Sequence, residues 1–385
     1  MPPIVIIGAG MAAYSLAREF RKLDKSTPVM LVTSDAGGAY AKPMLSNAFA
    51  LGKQAPQLLS ATAEQMAATL GLTVLAGTRV SAIDRDTRHI VTDKGRFAYA
   101  KLVLALGADP IRLPLGGDAA CEVLSVNHLD DYAQLRQRLA LAGPNAHVAI
   151  IGAGLIGCEF ADDLVAGGHR VTLVDPNPRP LAALAAPVLS DALARAWAPH
   201  PITLKLGAVA ASVDRSGDKL ALTLSDASTV EADVVLSAIG LRPSIALAQQ
   251  ARLATGRGIV VDGYGQTSAP GIYALGDCAE YTTDGTSGVM PYVAPMLAAA
   301  RAIAATLAGA PTPIALKPEA VIVKTASCKL ALLPPAPGTR GEWRSEADGE
   351  RTVARFVDDA GVVRGFGLTH HTPALRQGLL AELGS

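Results

Sequence analysis

The chain of 385 residues is long enough for two or three domains, and half of its residues are apolar, so it can bury sizeable cores. Its 34 basic and 34 acidic residues balance, which argues against nucleic acid or an anionic membrane as a partner. We expect no secretory signal, because an apolar strand-like run begins almost at once. The four cysteines are far apart and form no C-x-x-C pair, so a reducing, cytoplasmic compartment is the simplest expectation.

A glycine-rich turn, Gly8-Ala9-Gly10-Met11-Ala12-Ala13, follows the apolar run Ile4–Ile7. In a strand-turn-helix unit of this kind, the first glycine makes the turn and the second lets the backbone approach a pyrophosphate. The third position lets helix and strand pack closely, and alanine is an accepted variant there. This first glycine turn therefore predicts a strand, a helix to about Leu23 and a bound dinucleotide.

The predicted second strand, 28–33, ends at Ser34 and Asp35, where a carboxylate often binds a ribose. Asp35 is either that ligand or an ordinary surface acid, and Thr33 and Ser34 are alternative ribose contacts. Residues 37–50 read as an irregular loop running into a helix. We predict further strands at 73–75, 80–83 and 102–106, the last ending in a turn at Gly107.

The second glycine turn, Gly152-Ala153-Gly154-Leu155-Ile156-Gly157, follows the apolar run 148–151. Its predicted second strand, 170–174, ends at Asp175, whose spacing fits a ribose ligand better than a surface acid. An acid there repels a 2′-phosphate and favours NADH over NADPH, although Arg170 and Arg179 leave this open. This unit ends with a strand at 234–239 and a turn from Gly240 to Pro243, much as the first unit ends with a strand and the turn at Gly107. Two such units predict two dinucleotides and electron transfer between them.

The rest of the chain is predicted to return to the first domain and then form a small α+β domain. The first part contains the strand 271–275 and the turn Gly276-Asp277. The apolar segment 292–310 contains Pro295 and much alanine, so we expect a buried or half-buried helix rather than a membrane span. Four strands between 321 and 368 and a helix at 374–383 follow. By composition alone, Asp277 is a turn aspartate, Glu159 a solvated acid, and Lys42 and Lys324 surface lysines.

The ordered motifs at 8–13, 104–107, 152–159, 240–243 and 267–277 resemble the flavoprotein reductases with two dinucleotide-binding domains, within the pyridine nucleotide-disulfide oxidoreductase-like superfamily. Closer matches at 40–46, 152–160, 272–280 and 323–325 resemble its rubredoxin–NAD reductase branch. The resemblance implies an α/β fold of the glutathione-reductase type, with two Rossmann-like domains and a small C-terminal α+β domain. The implied domains are 1–110 with 241–312 for FAD, 111–240 for NAD, and 313–385.

The resemblance also implies the roles of particular residues. FAD would be bound by Gly8, Ala9, Gly10, Met11, Ala12, Thr33, Ser34, Asp35, Lys42, Pro43, Val80, Glu159, Asp277, Val293 and Lys324. Lys42, Glu159 and Lys324 would lie near the flavin, Asp277 at the ribityl chain, and the Val293 N–H at the pyrimidine edge. NAD would be bound by Gly152, Gly154, Leu155, Ile156, Gly157, Asp175 and Gly240.

Three positions depart from the relatives' pattern. Ferredoxin reductases of the superfamily usually follow Leu-Ser with lysine, where this chain has Asn47, so a lysine–Glu159 pair is not expected there. The rubredoxin branch typically follows Lys-Thr with Pro-x-x-Pro, where this chain has Ala326-Ser327-Cys328-Lys329. The stretch 282–287 is longer than in these relatives.

The expected activity is electron transfer from NADH through FAD to a small one-electron carrier, with rubredoxin favoured. No catalytic nucleophile and no metal is expected, because the flavin supplies the chemistry. A glutathione-reductase type of enzyme needs a redox cysteine pair, and an NADH oxidase needs a cysteine in the 37–47 loop. Neither feature is present in the sequence. We interpret Cys158 and Cys278 as packing residues. Alternatives are a ferredoxin reductase of an oxygenase system, a flavorubredoxin reductase, and a flavoprotein that senses NADH with little turnover.

The substitution Asp175→Ala tests the ribose assignment. Removing the carboxylate removes its repulsion of a 2′-phosphate, so the preference for NADH over NADPH is expected to relax. Steady-state kinetics with both nucleotides measure this, and unchanged selectivity would exclude Asp175 from the ribose site.

Overall fold

The computed structural model describes residues 1–283 and 286–384, and it divides into two compact units. The first unit comprises 1–42, 59–109 and 241–317, and the second comprises 43–58, 110–240 and the chain from Pro318 onward. The segment 43–58, expected with the FAD domain, therefore groups with the second unit. The three-domain division stays a prediction. Residues 284 and 285, inside the stretch expected to be longer than in relatives, lie outside the described residues.

The core of the first unit is a five-stranded parallel sheet. Its strands, in spatial order, are Ile272–Ala274, Lys101–Leu104, Ile4–Ile7, Val29–Val32 and Thr73–Leu75. The central strand has all four side chains buried, as expected for a parallel sheet that is covered on both faces. The helices Met11–Leu23 and Val293–Leu307 pack against each other.

The apolar segment 292–310 forms the helix Val293–Leu307, as predicted, with Met296, Ala299 and Ile303 among its buried residues. Within the described ranges, no helix is long and apolar enough to cross a membrane. The smaller elements of this unit are Ala39–Tyr40, Leu59–Ala61, Ala63–Leu70, Val80–Asp84, His89–Thr92, Gly95–Ala98, Leu241–Pro243, Ala246–Gln250, Ile259–Val260, the 3₁₀ turn Gly276–Cys278, Ala279–Thr283 and Thr286–Val289. The strand Ala108–Pro110 spans the boundary between the units.

The second unit repeats the design with a four-stranded parallel sheet. Its strands, in spatial order, are Ile202–Leu206, Arg170–Asp175, His147–Ile151 and Val234–Ser237. Its helices are Leu129–Ala142, Leu155–Ala166, Pro187–Trp197 and the short Ala55–Leu58, with a 3₁₀ turn at Ala120–Glu122. The 3₁₀ turn Lys42–Ser46 begins at the last residue of the first unit's segment 1–42. An antiparallel sheet of Ala210–Ser216, Lys219–Leu224 and Thr229–Ala232 adds its own apolar cluster.

The C-terminal part of the second unit is an antiparallel sheet followed by one helix. The strand order is Val321–Val323, Leu330–Leu333, Val363–Thr369, Arg351–Asp358 and Gly341–Asp348. The helix Pro373–Ala381 starts at Thr372, whose hydroxyl accepts the N–H of Leu375. Four of these strands match the predicted ones. The edge strand Gly341–Asp348 was not predicted, because its side chains are almost all exposed and carry no alternating apolar pattern.

Candidate functional site

The first glycine of each turn sits where no other residue fits. Gly8 has φ +112°, and a Cβ there would lie 2.2 Å from the carbonyl oxygen of Ala105. Gly152 has φ +106°, and a Cβ there would lie 2.7 Å from the carbonyl oxygen of Ala238. Both turns therefore need the positive φ and the missing side chain of glycine.

The second glycine of each turn faces open space. A Cβ at Gly10 or Gly154 would meet no described atom within 4 Å. Each of these glycines caps the N-terminus of a helix, and because glycine has no side chain, the cap residue offers the first backbone N–H groups no side-chain acceptor. The first backbone N–H groups of both helices are thus presented beside room for a ligand, as a pyrophosphate requires. Both turns fit a dinucleotide.

The third position explains why one turn has alanine and the other glycine. A Cβ at Gly157 would lie 1.9 Å from the carbonyl oxygen of Gly152, so this position admits only glycine. Ala13, the equivalent residue, is completely buried and its methyl group is accommodated. The departure at Ala13 therefore occurs where the first unit has room for a methyl group.

The end of the second strand of the first unit is tied together by local hydrogen bonds. The Asp35 Oδ1 accepts the Thr33 hydroxyl and the Gly37 N–H, each at 2.8 Å. The Thr78 N–H donates to the Thr33 carbonyl at 2.7 Å, which brings the segment leading into Val80 to this strand end. Thr33 is buried and Ser34 is exposed. Thr33, Ser34 and Asp35, which the resemblance assigns to the adenosine ribose, therefore lie close to the segment that leads into Val80.

The turn at Asp277 lies against the first glycine turn. Gly276 has φ +77°, and a Cβ there would lie 3.0 Å from the Cβ of Ala12. Lys42 Nζ lies 4.0 Å from Asp277 Oδ2. Val293 begins its helix and is 40% exposed. The first unit thus gathers Lys42 and Asp277, while Pro43 belongs to the second unit.

Asp175 is buried and stabilises the second glycine turn through a hydrogen bond. Its side chain is 8% exposed, and Oδ2 accepts the Ala153 N–H at 2.7 Å. Oδ1 accepts the backbone and side-chain N–H groups of Asn177, both at 2.8 Å. Arg179 is one of the two arginines that left the choice between NADH and NADPH open, and it pairs with Asp191 at 2.9 Å. Because Asp175 also supports the turn, the Asp175→Ala test needs a thermal-stability measurement beside the kinetics.

Glu159 is not the solvated acid that composition favours, since its side chain is only 2% exposed. Its Oε2 accepts the Ser46 hydroxyl at 2.6 Å and pairs with the Lys324 ammonium. Its Oε1 accepts the Lys324 N–H at 3.1 Å. Lys324 Nζ also donates to Ser46 Oγ at 2.9 Å and to the Pro43 carbonyl at 2.8 Å. A lysine–glutamate pair thus exists although Asn47 is not lysine, because the cation comes from the C-terminal segment.

The helix Leu155–Ala166, which we call the second-turn helix, buries two more carboxylates that the sequence analysis missed. Asp163 accepts the N–H groups of Phe49 and Ala50 at 3.0 and 2.8 Å. Burial raises the pKa of Asp163, and hydrogen bonds from the 48–50 backbone oppose that rise. Asp162 contacts Trp197 and residues 326–327. Three acids at i, i+3 and i+4 in an otherwise apolar helix were the available signal.

The cysteines show no sign of redox activity. Cys158, Cys278 and Cys328 are buried, and Cys121 is exposed; all four are free. Burial raises the pKa of Cys158, and it raises those of Cys278 and Cys328 to about 11. A thiol reacts through its thiolate, so burial and the raised pKa disfavour redox chemistry at these three cysteines.

Comparison with known proteins agrees with this architecture. Residues 2–303 match the pyridine nucleotide-disulphide oxidoreductase model, and residues 313–383 match the rubredoxin binding C-terminal domain. The chain belongs to the pyridine nucleotide-disulphide oxidoreductase family. The predicted resemblance to rubredoxin–NAD reductases and the predicted fold class are confirmed.

Among curated relatives, the rubredoxin-NAD(+) reductase of Alcanivorax borkumensis is 44% identical, with 100% of this chain and 99% of that protein covered. The nitric oxide reductase FlRd-NAD(+) reductase of Aeromonas hydrophila is 38% identical, with 94% and 92% covered. A solved covalent putidaredoxin reductase–putidaredoxin complex superposes with a TM-score of 0.88 at 26% identity, with 99% and 93% covered.

Two glycines of the second turn form a matched pair for a test, because a side chain at Gly154 would face open space and one at Gly157 would have no room. Gly154→Ala adds a methyl group where a phosphate would approach, at a φ of −76° that alanine accepts, so stability should hold while NADH affinity falls roughly tenfold. Gly157→Ala forces a clash with the Gly152 carbonyl, so its melting temperature should fall. Thermal unfolding and NADH titration separate the two; equal stability losses would contradict the assignment.

Lys324→Met should destabilise the second unit, because it leaves the buried Glu159 carboxylate without its cation. We expect a loss of about 2–4 kcal/mol in the free energy of unfolding, measured by denaturant titration, and substantial recovery in the double variant with Glu159→Gln. The matched control is Arg344→Met, which breaks an exposed pair with Glu342 and should cost about 0–1 kcal/mol. Equal losses in the two single variants would show that Glu159 is not buried in solution.

Proposed function

We propose that this protein transfers electrons from NADH, through bound FAD, to rubredoxin. The observation that carries the proposal is the pairing of two dinucleotide-type glycine turns with a segment, 313–383, that matches the rubredoxin binding C-terminal domain. The relatives named rubredoxin-NAD(+) reductase span the same full length and support the same acceptor. The buried, high-pKa cysteines argue against electrons passing to a disulfide within the chain.

The chemistry that FAD supplies when bound is the acceptance of a hydride and the release of electrons one at a time. The protein's part is to bind and orient. The first glycine turn donates backbone N–H groups to the FAD pyrophosphate, and the second does the same for NADH. Asp175 orients the NADH ribose while holding the turn that binds the pyrophosphate. The acid disfavours the extra phosphate of NADPH.

The remaining site assignments are part of this proposal. Thr33, Ser34 and Asp35 contact the adenosine ribose of FAD, Val80 the adenine, and Asp277 the ribityl chain. The Val293 N–H, at a helix N-terminus, faces the flavin pyrimidine edge. Lys42, Pro43, Glu159 and Lys324 belong to the flavin environment, and Leu155, Ile156 and Gly240 to that of NAD. We also propose a cytoplasmic location, in keeping with four free cysteines.

The test uses purified protein loaded with FAD. A visible spectrum checks for the flavin, and NADH-driven reduction of a rubredoxin is compared with that of a [2Fe–2S] ferredoxin. We expect fast reduction of rubredoxin by NADH and weaker reduction of ferredoxin. Ferredoxin reduced well while no rubredoxin is reduced would overturn the proposal in favour of a ferredoxin reductase.

Two further outcomes separate the other candidates. A flavorubredoxin reduced faster than a free rubredoxin would identify the flavorubredoxin branch, which the name of the Aeromonas relative, an FlRd-NAD(+) reductase, favours. Slow reduction by NADH with a long-lived charge-transfer band would identify a sensor of NADH.

A further inference from the structure

Asp162 lies on the second-turn helix and is 5% exposed. Its Oδ1 accepts the indole N–H of Trp197 at 2.9 Å and the hydroxyl of Ser327. Its Oδ2 accepts the Ala326 N–H at 2.6 Å and, more weakly, the Ser327 N–H at 3.4 Å. Three of these four bonds come from residues 326–327, inside the segment that matches the rubredoxin binding domain.

A buried carboxylate is costly unless donors surround it, and here the donors are neutral groups. Four bonds equal the usual capacity of the two carboxylate oxygens. Trp197 and the loop at 326–327 therefore use all the hydrogen-bond acceptor positions of the Asp162 carboxylate. The two neighbouring acids serve other partners: Glu159 binds Lys324 and Ser46, and Asp163 binds the 49–50 backbone.

The loop is held at two points by one helix. Glu159 accepts the N–H of Lys324, and Asp162, one turn further along, accepts that of Ala326. The second bond uses a backbone N–H, which every residue except proline provides, so a proline at position 326 would remove it.

We propose that Asp162 is a positioning residue for the reduction of rubredoxin, fixing the start of the acceptor-binding segment to the helix that follows the NADH turn. This inference rests on the proposed function. An acceptor that docks on the segment depends on that fixed position, because electron transfer needs one defined docked geometry. A small inorganic acceptor needs no docking segment and is insensitive to it.

The experiment compares Asp162→Asn with wild-type holoenzyme. Asparagine keeps the shape but turns an amide donor toward groups that are themselves donors. We expect the KM for rubredoxin to rise about tenfold, while kcat for ferricyanide with NADH stays unchanged. Hydrogen exchange at the amides of Ala326 and Ser327 should accelerate. Ser327→Ala, which removes one donor only, should move both readouts less and in the same direction.

The matched control is Asp163→Asn, which alters the adjacent buried carboxylate but not the loop at 326–327. It should change rubredoxin and ferricyanide turnover in parallel and leave exchange at 326–327 as in the wild type. Equal loss with both acceptors in Asp162→Asn, unchanged rubredoxin kinetics, or the same split in Asp163→Asn would each overturn the inference alone. Wild-type protein that reduces ferricyanide but no rubredoxin overturns the proposed function, and the inference with it.

Discussion

Three buried carboxylates on one helix organise the second unit. Glu159, Asp162 and Asp163 are buried on an otherwise apolar helix, and they take partners from two segments distant in sequence. The 43–58 stretch donates to Glu159 and Asp163, and the 324–327 loop donates to Glu159 and Asp162. An apolar helix would pack against almost any apolar surface, whereas a buried acid is stable only where its own donors are. The acids therefore specify which segments come together, and they place the 43–58 stretch and the C-terminal loop on the second-turn helix.

The two glycine turns share a purpose but differ in tolerance. Both require glycine at the first position for its positive φ, and both leave the second position open toward a ligand. Only the second turn requires glycine at the third position, since the carbonyl of Gly152 fills the space that Ala13 finds free in the first. The two turns thus share one motif, and the chain departs from the full pattern at Ala13, where a methyl group has room.

Local patterns predicted the strands of the two parallel sheets except Ile202–Leu206, the glycine turns and the helix at 293–307, because these depend on residues close in sequence. The strand Ile202–Leu206 was missed, although its half-buried and exposed positions alternate as in an edge strand. Local patterns also did not predict the strand Gly341–Asp348, whose exposed edge position removes the apolar alternation by which strands are identified. They also could not pair Glu159 with Lys324, 165 residues apart, since no periodicity links such positions. Asn47 offers no cation to Glu159, and only the fold shows that Lys324 pairs with that carboxylate.

The distance in sequence between Glu159 and its cation also bears on synthesis. A ribosome that has made the parallel sheet and the second-turn helix has not yet made Lys324, Ala326 or Ser327, so Glu159 lacks its cation and Asp162 most of its donors. Closing so long a loop is slow, and the contacts that reward it form last. The donor sets of Glu159 and Asp162 are therefore completed only after residue 327 has been made, although the parallel sheet of the second unit lies within residues 110–240.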